Sequence, residues 1–147
     1  MLVLSISDLH FPYAHKDALD FLRDLAKDVK PDQIVLLGDE LELAGMSFHD
    51  HDPNMPSASE EFELGKKDLR KLYKLFPEVK ACTSNHTSRG FRRAFKFGIP
   101  SQFMRDYRAL LEAPKGWEWR DHWEIEKVLY LHGEGFSGKN AHIKAAM

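Results

Sequence analysis

The sequence predicts an α/β domain built on a parallel sheet, and three observations predict it. Short apolar runs alternate with amphipathic helical stretches, the first unit reads strand, helix, strand, and the polar residues with metal-binding potential fall just beyond the apolar runs. A length of 147 residues with 43% hydrophobic content allows one compact domain with its own core and hardly two, so residues 1–147 are read as one domain.

The N-terminal run LVLSIS and the run QIVLLGD, preceded by Pro31, read as buried strands. Between them, 17–29 places Ala18, Phe21, Leu22, Leu25 and Ala26 on one helical face with charges opposite, which predicts a βαβ unit and a parallel strand pair. A polar loop with Pro53 and Pro56 follows. Ser57 and Glu60 have capping-box spacing, and Leu64, Leu69, Leu72 and Leu75 carry an amphipathic helix to Phe76, where Pro77 ends it. VKACTS is a third strand leading into the loop NHTSRG. A helix is expected over 101–111 before Pro114 and Gly116, then two strands, WEWRDHW and KVLYLH, and the opening of another helix from Asn140. The alternation of Trp117, Trp119 and Trp123 reads as one strand face packed into the core.

The charge balance gives no global pull toward polyanions: 21 Lys plus Arg stand against 23 Asp plus Glu, a net charge of -2. The lone Cys82 excludes an internal disulfide framework and fits a reducing cytoplasm. With no basic n-region, cleavage site or long apolar run, a soluble cytoplasmic protein with no membrane partner is expected.

The informative pattern is the position of polar residues after strands: Asp8 and His10, then Asp39, then Asn85 and His86, then His132. In an open α/β sheet the carboxyl ends of parallel strands line one edge, where residues distant in sequence converge. Asp8 and His10 are two apart, so continued strand geometry would point both to one side. Carboxylate, imidazole and amide oxygen together suit a borderline divalent ion, manganese first, with iron, zinc and nickel as alternatives, better than calcium or magnesium.

These residues resemble the calcineurin-like metallophosphoesterase family: D-L-H at Asp8 to His10, G-D at Gly38 and Asp39, N-H at Asn85 and His86, H-G at His132 and Gly133. The resemblance implies a layered α/β/β/α sandwich with two divalent metal ions. Asp8 and His10 would hold the first, Asp39 would bridge both, Asn85 and His132 would hold the second, and His86 would be the catalytic acid. The implied activity is hydrolysis of phosphomonoesters or phosphodiesters by a hydroxide that the metal pair activates, with a phosphate ester as substrate.

Three positions depart from that pattern. The family's final G-H-x-H segment, one ligand for each metal, is absent, so the sequence is expected to be a domain missing its C-terminal part; His142 is the sole histidine downstream of His132 and falls in the expected last helix. Thr87 stands where the family has an acidic residue after the catalytic His, and Ser84 replaces the usual Gly before Asn85. The alternative function is accordingly a non-catalytic or fragmentary metal- or phosphate-binding domain.

Other features carry weaker readings. Arg89, Arg92, Arg93 and Lys96, interleaved with Phe91, Phe95 and Phe97, follow the metal loop and offer Arg89 as a substrate-binding residue, with nucleic acid a possible partner, or else form an amphipathic segment with a solvated basic side. GEGFSGKN at 133–140 nearly spells a phosphate-cradling loop, but Asn140 replaces the needed hydroxyl, and a flexible Gly-rich turn accounts for it. HDHD at 49–52 reads as a solvated loop or a lid over the substrate.

Overall fold

The computed structural model describes residues 1–50 and 52–133. His51, the Gly-rich stretch beyond Gly133, the helix expected from Asn140 and His142 lie outside the described residues.

Four strands, β1 (Val3–Ile6), β2 (Gln33–Leu36), β3 (Glu78–Cys82) and β4 (Gly116–Arg120), form one sheet in the order β1-β2-β3-β4, and every neighbouring pair is parallel. Helix α1 (Ala18–Val29) makes the first crossover and α2 (Ala58–Leu75) the second. Helix α3 (Arg89–Lys96), a short 3-10 turn (Ser101–Phe103) and the single-turn α4 (Tyr107–Leu110) make the third. Since the order never reverses, right-handed crossovers bring the connecting helices to one face of the sheet. Ile34, Leu36, Val79 and Ala81 point to that side and join Leu22, Leu69, Leu72 and Trp117 in the core.

The other face carries the alternate residues Val35 and Cys82, both fully buried. An antiparallel hairpin of β5 (His122–Ile125) and β6 (Val128–Leu131) covers it, with Cys82 Sγ 3.5 Å from the Tyr130 carbonyl and Trp123 donating Nε1–H to the Ala81 carbonyl at 2.9 Å. The expected α/β class is therefore what the chain adopts. Burial pushes the Cys82 thiol up to about 11, which keeps it unreactive.

The helix ends follow their sequence signals. Ser57 and Glu60 form the reciprocal capping box of α2, and the chain leaves α2 at Phe76, just before Pro77. Five expectations need correction. Phe21 is exposed and Leu19 packs in its place, because the buried arc of α1 centres between Ala18 and Ala26 and Phe21 lies about a third of a turn off it. Leu64 likewise lies on the exposed edge of α2. The helix expected over 101–111 is broken: the Asp106 carboxylate accepts from the Ala109 N–H at 2.8 Å, so the chain restarts a helix there instead of continuing one. WEWRDHW is two strands, since the chain leaves the parallel sheet at Asp121, where Thr83 Oγ1 donates to the Asp121 carboxylate at 2.8 Å. Trp117 packs among the helices and Trp123 on the opposite face.

Candidate metal centre

The loops after β1 and β2 run side by side at the carboxyl edge of the sheet. Leu37 N–H donates to Ile6 O at 2.7 Å, Asp8 N–H to Gly38 O at 3.2 Å, His10 N–H to Asp39 O at 2.8 Å and Phe11 N–H to Glu40 O at 2.9 Å. This ladder carries Asp8 and His10 to Asp39, but not by strand geometry. Strand β1 stops at Ile6, and Asp8, His10 and Asp39 have φ of 55, 49 and 53°, the left-handed region that side chains avoid. The expectation that strand pleat aligns Asp8 with His10 is thus corrected: left-handed turns do it. Three such residues at one sheet edge are a conformational cost of the kind that concentrates at functional sites.

Gly38 explains how the loops come so close. Its φ of 108° and the 2.6 Å that would separate a Cβ from Ser84 Cβ leave room for glycine alone. Ser84, fully buried, accepts from the Asp39 N–H through Oγ at 2.9 Å, so the departure from Gly at this position ties the β3 loop to the β2 loop.

Around the buried Asp39 the other side chains gather. Asp39 Oδ2 lies 3.7 Å from His10 Nε2, 3.4 Å from His132 Nε2 and 4.0 Å from His86 Nε2. Asp8 Oδ1 is 3.6 Å from His10 Nε2. Asn85 Oδ1 is 2.7 Å from His132 Nε2. All six metal and catalytic candidates are brought together, and Arg89 joins them, with NH2 3.1 Å from His86 Nε2.

The donor chemistry around Asp39 fits a divalent cation. Donor atoms held by one ion at about 2.1 Å stand roughly 3 to 3.5 Å apart. Asp8, His10 and Asp39 form a looser group of this kind, with ligand atoms all within 4.8 Å of one another. His132 Nδ1 is 2.9 Å from the Leu37 carbonyl, which turns Nε2 inward. Nε2 faces Asn85 Oδ1 at 2.7 Å and Asp39 Oδ2 at 3.4 Å, an imidazole, amide and carboxylate set of the kind that can hold a borderline divalent cation.

One residue of the site escaped the sequence reading. Glu42 Oε2 lies 2.6 Å from His10 Nδ1 and 3.1 Å from His86 Nδ1, and the Glu42 carbonyl is 3.0 Å from the same His86 nitrogen. The charge that Thr87 fails to give His86 is therefore supplied by Glu42; Thr87 is buried and turns toward Glu40. The available signal was an acid three positions beyond Asp39 in the same loop. Glu42 is held from behind, because buried Glu61 on α2 accepts from the Ala44 and Gly45 N–H groups at 2.9 and 2.8 Å. Glu40, fully buried next to Asp39, accepts from Trp119 Nε1–H at 3.1 Å, and burial drives its carboxyl above the usual range.

A family model for calcineurin-like phosphoesterases matches residues 1–144. The chain belongs to the calcineurin-like phosphoesterase family. Phosphoester hydrolysis with divalent metals is the chemistry of this family, and phosphate esters are its substrates. No curated protein and no solved structure matches the chain. No helix among the described residues is long and apolar enough to cross a membrane.

Proposed function

We propose that this calcineurin-like phosphoesterase is a cytoplasmic, dinuclear-metal enzyme hydrolysing phosphomonoesters or phosphodiesters. The observation that carries the reading is the placement of Asp39 Oδ2 between His10 Nε2 and His132 Nε2, at 3.7 and 3.4 Å. Asp8 and His10 would hold one ion and Asn85 and His132 the other, with the Asp39 carboxylate shared between them. Manganese suits the mixed oxygen and nitrogen set best, with iron, zinc and nickel as alternatives. When bound, the two ions polarise the phosphate and lower the pKa of the attacking water.

The chain's own residues supply the rest. The Leu37 carbonyl fixes the His132 tautomer and aims Nε2 inward. Ser84 Oγ fixes the turn of Asp39. His86 turns Nδ1 to Glu42, which keeps its orientation, and Nε2 is the atom that would pass a proton to the leaving alkoxide once Arg89 has left it and it has taken up a proton from solvent. Arg89 donates to the Glu42 carbonyl at 2.7 Å and toward His86 Nε2. An incoming phosphate offers that guanidinium a stronger, charged acceptor and draws it off the imidazole.

The test is hydrolysis of p-nitrophenyl phosphate and bis-p-nitrophenyl phosphate with added manganese. Turnover that needs manganese and drops at least a hundredfold, on the order expected for general acid–base catalysis, in His86→Ala and in Asp39→Asn supports the reading. Turnover that survives in either variant, or none from the folded wild-type chain, rejects it.

A further inference from the structure

We propose that the face formed by α3 and the following 3-10 turn is the binding platform for a single-stranded nucleic acid, whose phosphodiester is then the substrate of the metal centre. The inference rests on the proposed phosphoesterase site and names its substrate class.

The first observation is aromatic exposure. Phe95, Phe97 and Phe103 are 84, 72 and 80% exposed, on a chain that buries Phe11, Phe76, Trp117 and Trp123. Phenyl rings left in water along the segment 95–103 mark a contact surface. A groove of about 330 Å³ is lined by Phe91, Phe95, Ile99 and Met104, with Arg92 on its wall. An apolar slot rimmed by Phe91 and Phe95 accepts a planar base, and stacking on a phenyl ring has little regard to sequence.

The second observation is charge. No Asp or Glu falls between 79 and 105, while Lys80, Arg89, Arg92, Arg93, Lys96 and Arg105 do, in a chain of net charge -2. Of these cations Arg92, Lys96 and Arg105 are exposed, as a polyanion requires. Arg93 is committed to the Met46 and Ser47 carbonyls and lies with Lys96 over the Phe48 ring. A second copy of this face would set cations against cations, which disfavours a symmetric contact between copies.

The third observation is continuity with the reaction site. Arg92, on the groove wall, donates to the Asn85 carbonyl at 2.5 Å, and Arg89, at the start of the same helix, reaches His86 Nε2. A strand lying along α3 therefore runs from the rings to the metal loop, its phosphates beside Arg92 and Lys96. Single strands fit and duplexes do not, because only unstacked bases can reach the phenyl rings.

The experiment measures binding without cleavage: fluorescence anisotropy of a labelled oligothymidylate with the full chain in EDTA. The variants are Phe95→Ala/Phe97→Ala/Phe103→Ala and Lys96→Gln/Arg105→Gln, all at exposed positions, with Phe95→Ser alone as the substitute should the triple variant not fold. The triple variant is expected to weaken binding by about tenfold or more with an unchanged salt slope. The double variant is expected to flatten the dependence of log affinity on log salt by about 1.4, two phosphate contacts at about 0.7 each on a single strand. Turnover of bis-p-nitrophenyl phosphate stays at the wild-type level in both. The proposal is overturned if the wild type does not bind the oligonucleotide saturably, if the aromatic variant binds as tightly, or if that variant only converts a dimer to a monomer on gel filtration. Oligonucleotide binding that behaves as expected in a chain without esterase turnover sinks the hydrolytic reading and leaves the platform standing; turnover without binding does the reverse.

Discussion

Gly38→Ala probes how tightly the site depends on loop approach. The residue has φ of 108°, outside the left-handed basin that an alanine tolerates, and its new Cβ would sit 2.6 Å from Ser84 Cβ and 3.1 Å from His132 Nδ1. Backbone strain of this kind costs about 1–3 kcal/mol, and overpacking a buried contact adds about as much. A total loss of about 2–6 kcal/mol is therefore expected in urea denaturation. Ser84 cannot retreat without loosening its 2.9 Å bond to the Asp39 N–H, and His132 cannot shift without leaving the Leu37 carbonyl. Manganese affinity should then fall about 10- to 100-fold, the usual result of disturbing groups that orient ligands. Gly98→Ala is the control: its φ is 72° and a Cβ there meets nothing within 4 Å, so it should cost about 1 kcal/mol and leave metal uptake intact. Equal effects of the two substitutions, or destabilisation by Gly38→Ala with unchanged metal uptake, would refute the argument that this glycine sets the site.

Three further outcomes are expected. Glu42→Gln keeps the backbone carbonyl at His86 but removes the charge beside His10 and His86, so manganese-dependent kcat should fall about 10- to 100-fold while the melting temperature changes little; stopped or steady-state kinetics on p-nitrophenyl phosphate reads this. Glu61→Ala strands the half-buried N–H groups of Ala44 and Gly45 and should cost about 1–3 kcal/mol in denaturant melts, along with a loss of activity through Glu42. Lys66 and Arg70 hydrogen-bond to Glu112 and hold its carboxyl down at about 2, below the usual 4.5, so its stabilising share is present above pH 4.5 and lost as pH falls toward 2; thermal melts across that window should show a shallower acid decline for Glu112→Gln than for the wild type.

The sequence made the scaffold legible because its signals are local. Apolar runs became β1, β2 and β3, and Ser57 with Glu60 capped α2 where their spacing placed them. The strand-end residues were legible as a set because a parallel sheet brings strand ends to one edge whatever the loops do. What stayed hidden depends on contacts between distant segments. Asp8, His10 and Asp39 take left-handed turns that only the ladder between two loops explains. Glu42 is placed through Glu61 of α2, which lies 17 and 16 residues from the Ala44 and Gly45 N–H groups it accepts from, and Ser84 through a bond to Asp39. Helix α3 looked like any amphipathic segment, and its exposed rings are visible only once the core is known to be filled without them.

The most direct test of the metal centre is the number of manganese ions held per chain, measured by equilibrium dialysis with elemental analysis on the wild type and Asp39→Asn. Two ions in the wild type and one or fewer in the variant, with the fold retained, is the predicted result. A single ion in the wild type, or two in a chain without the Asp39 carboxylate, contradicts the bridge between His10 and His132.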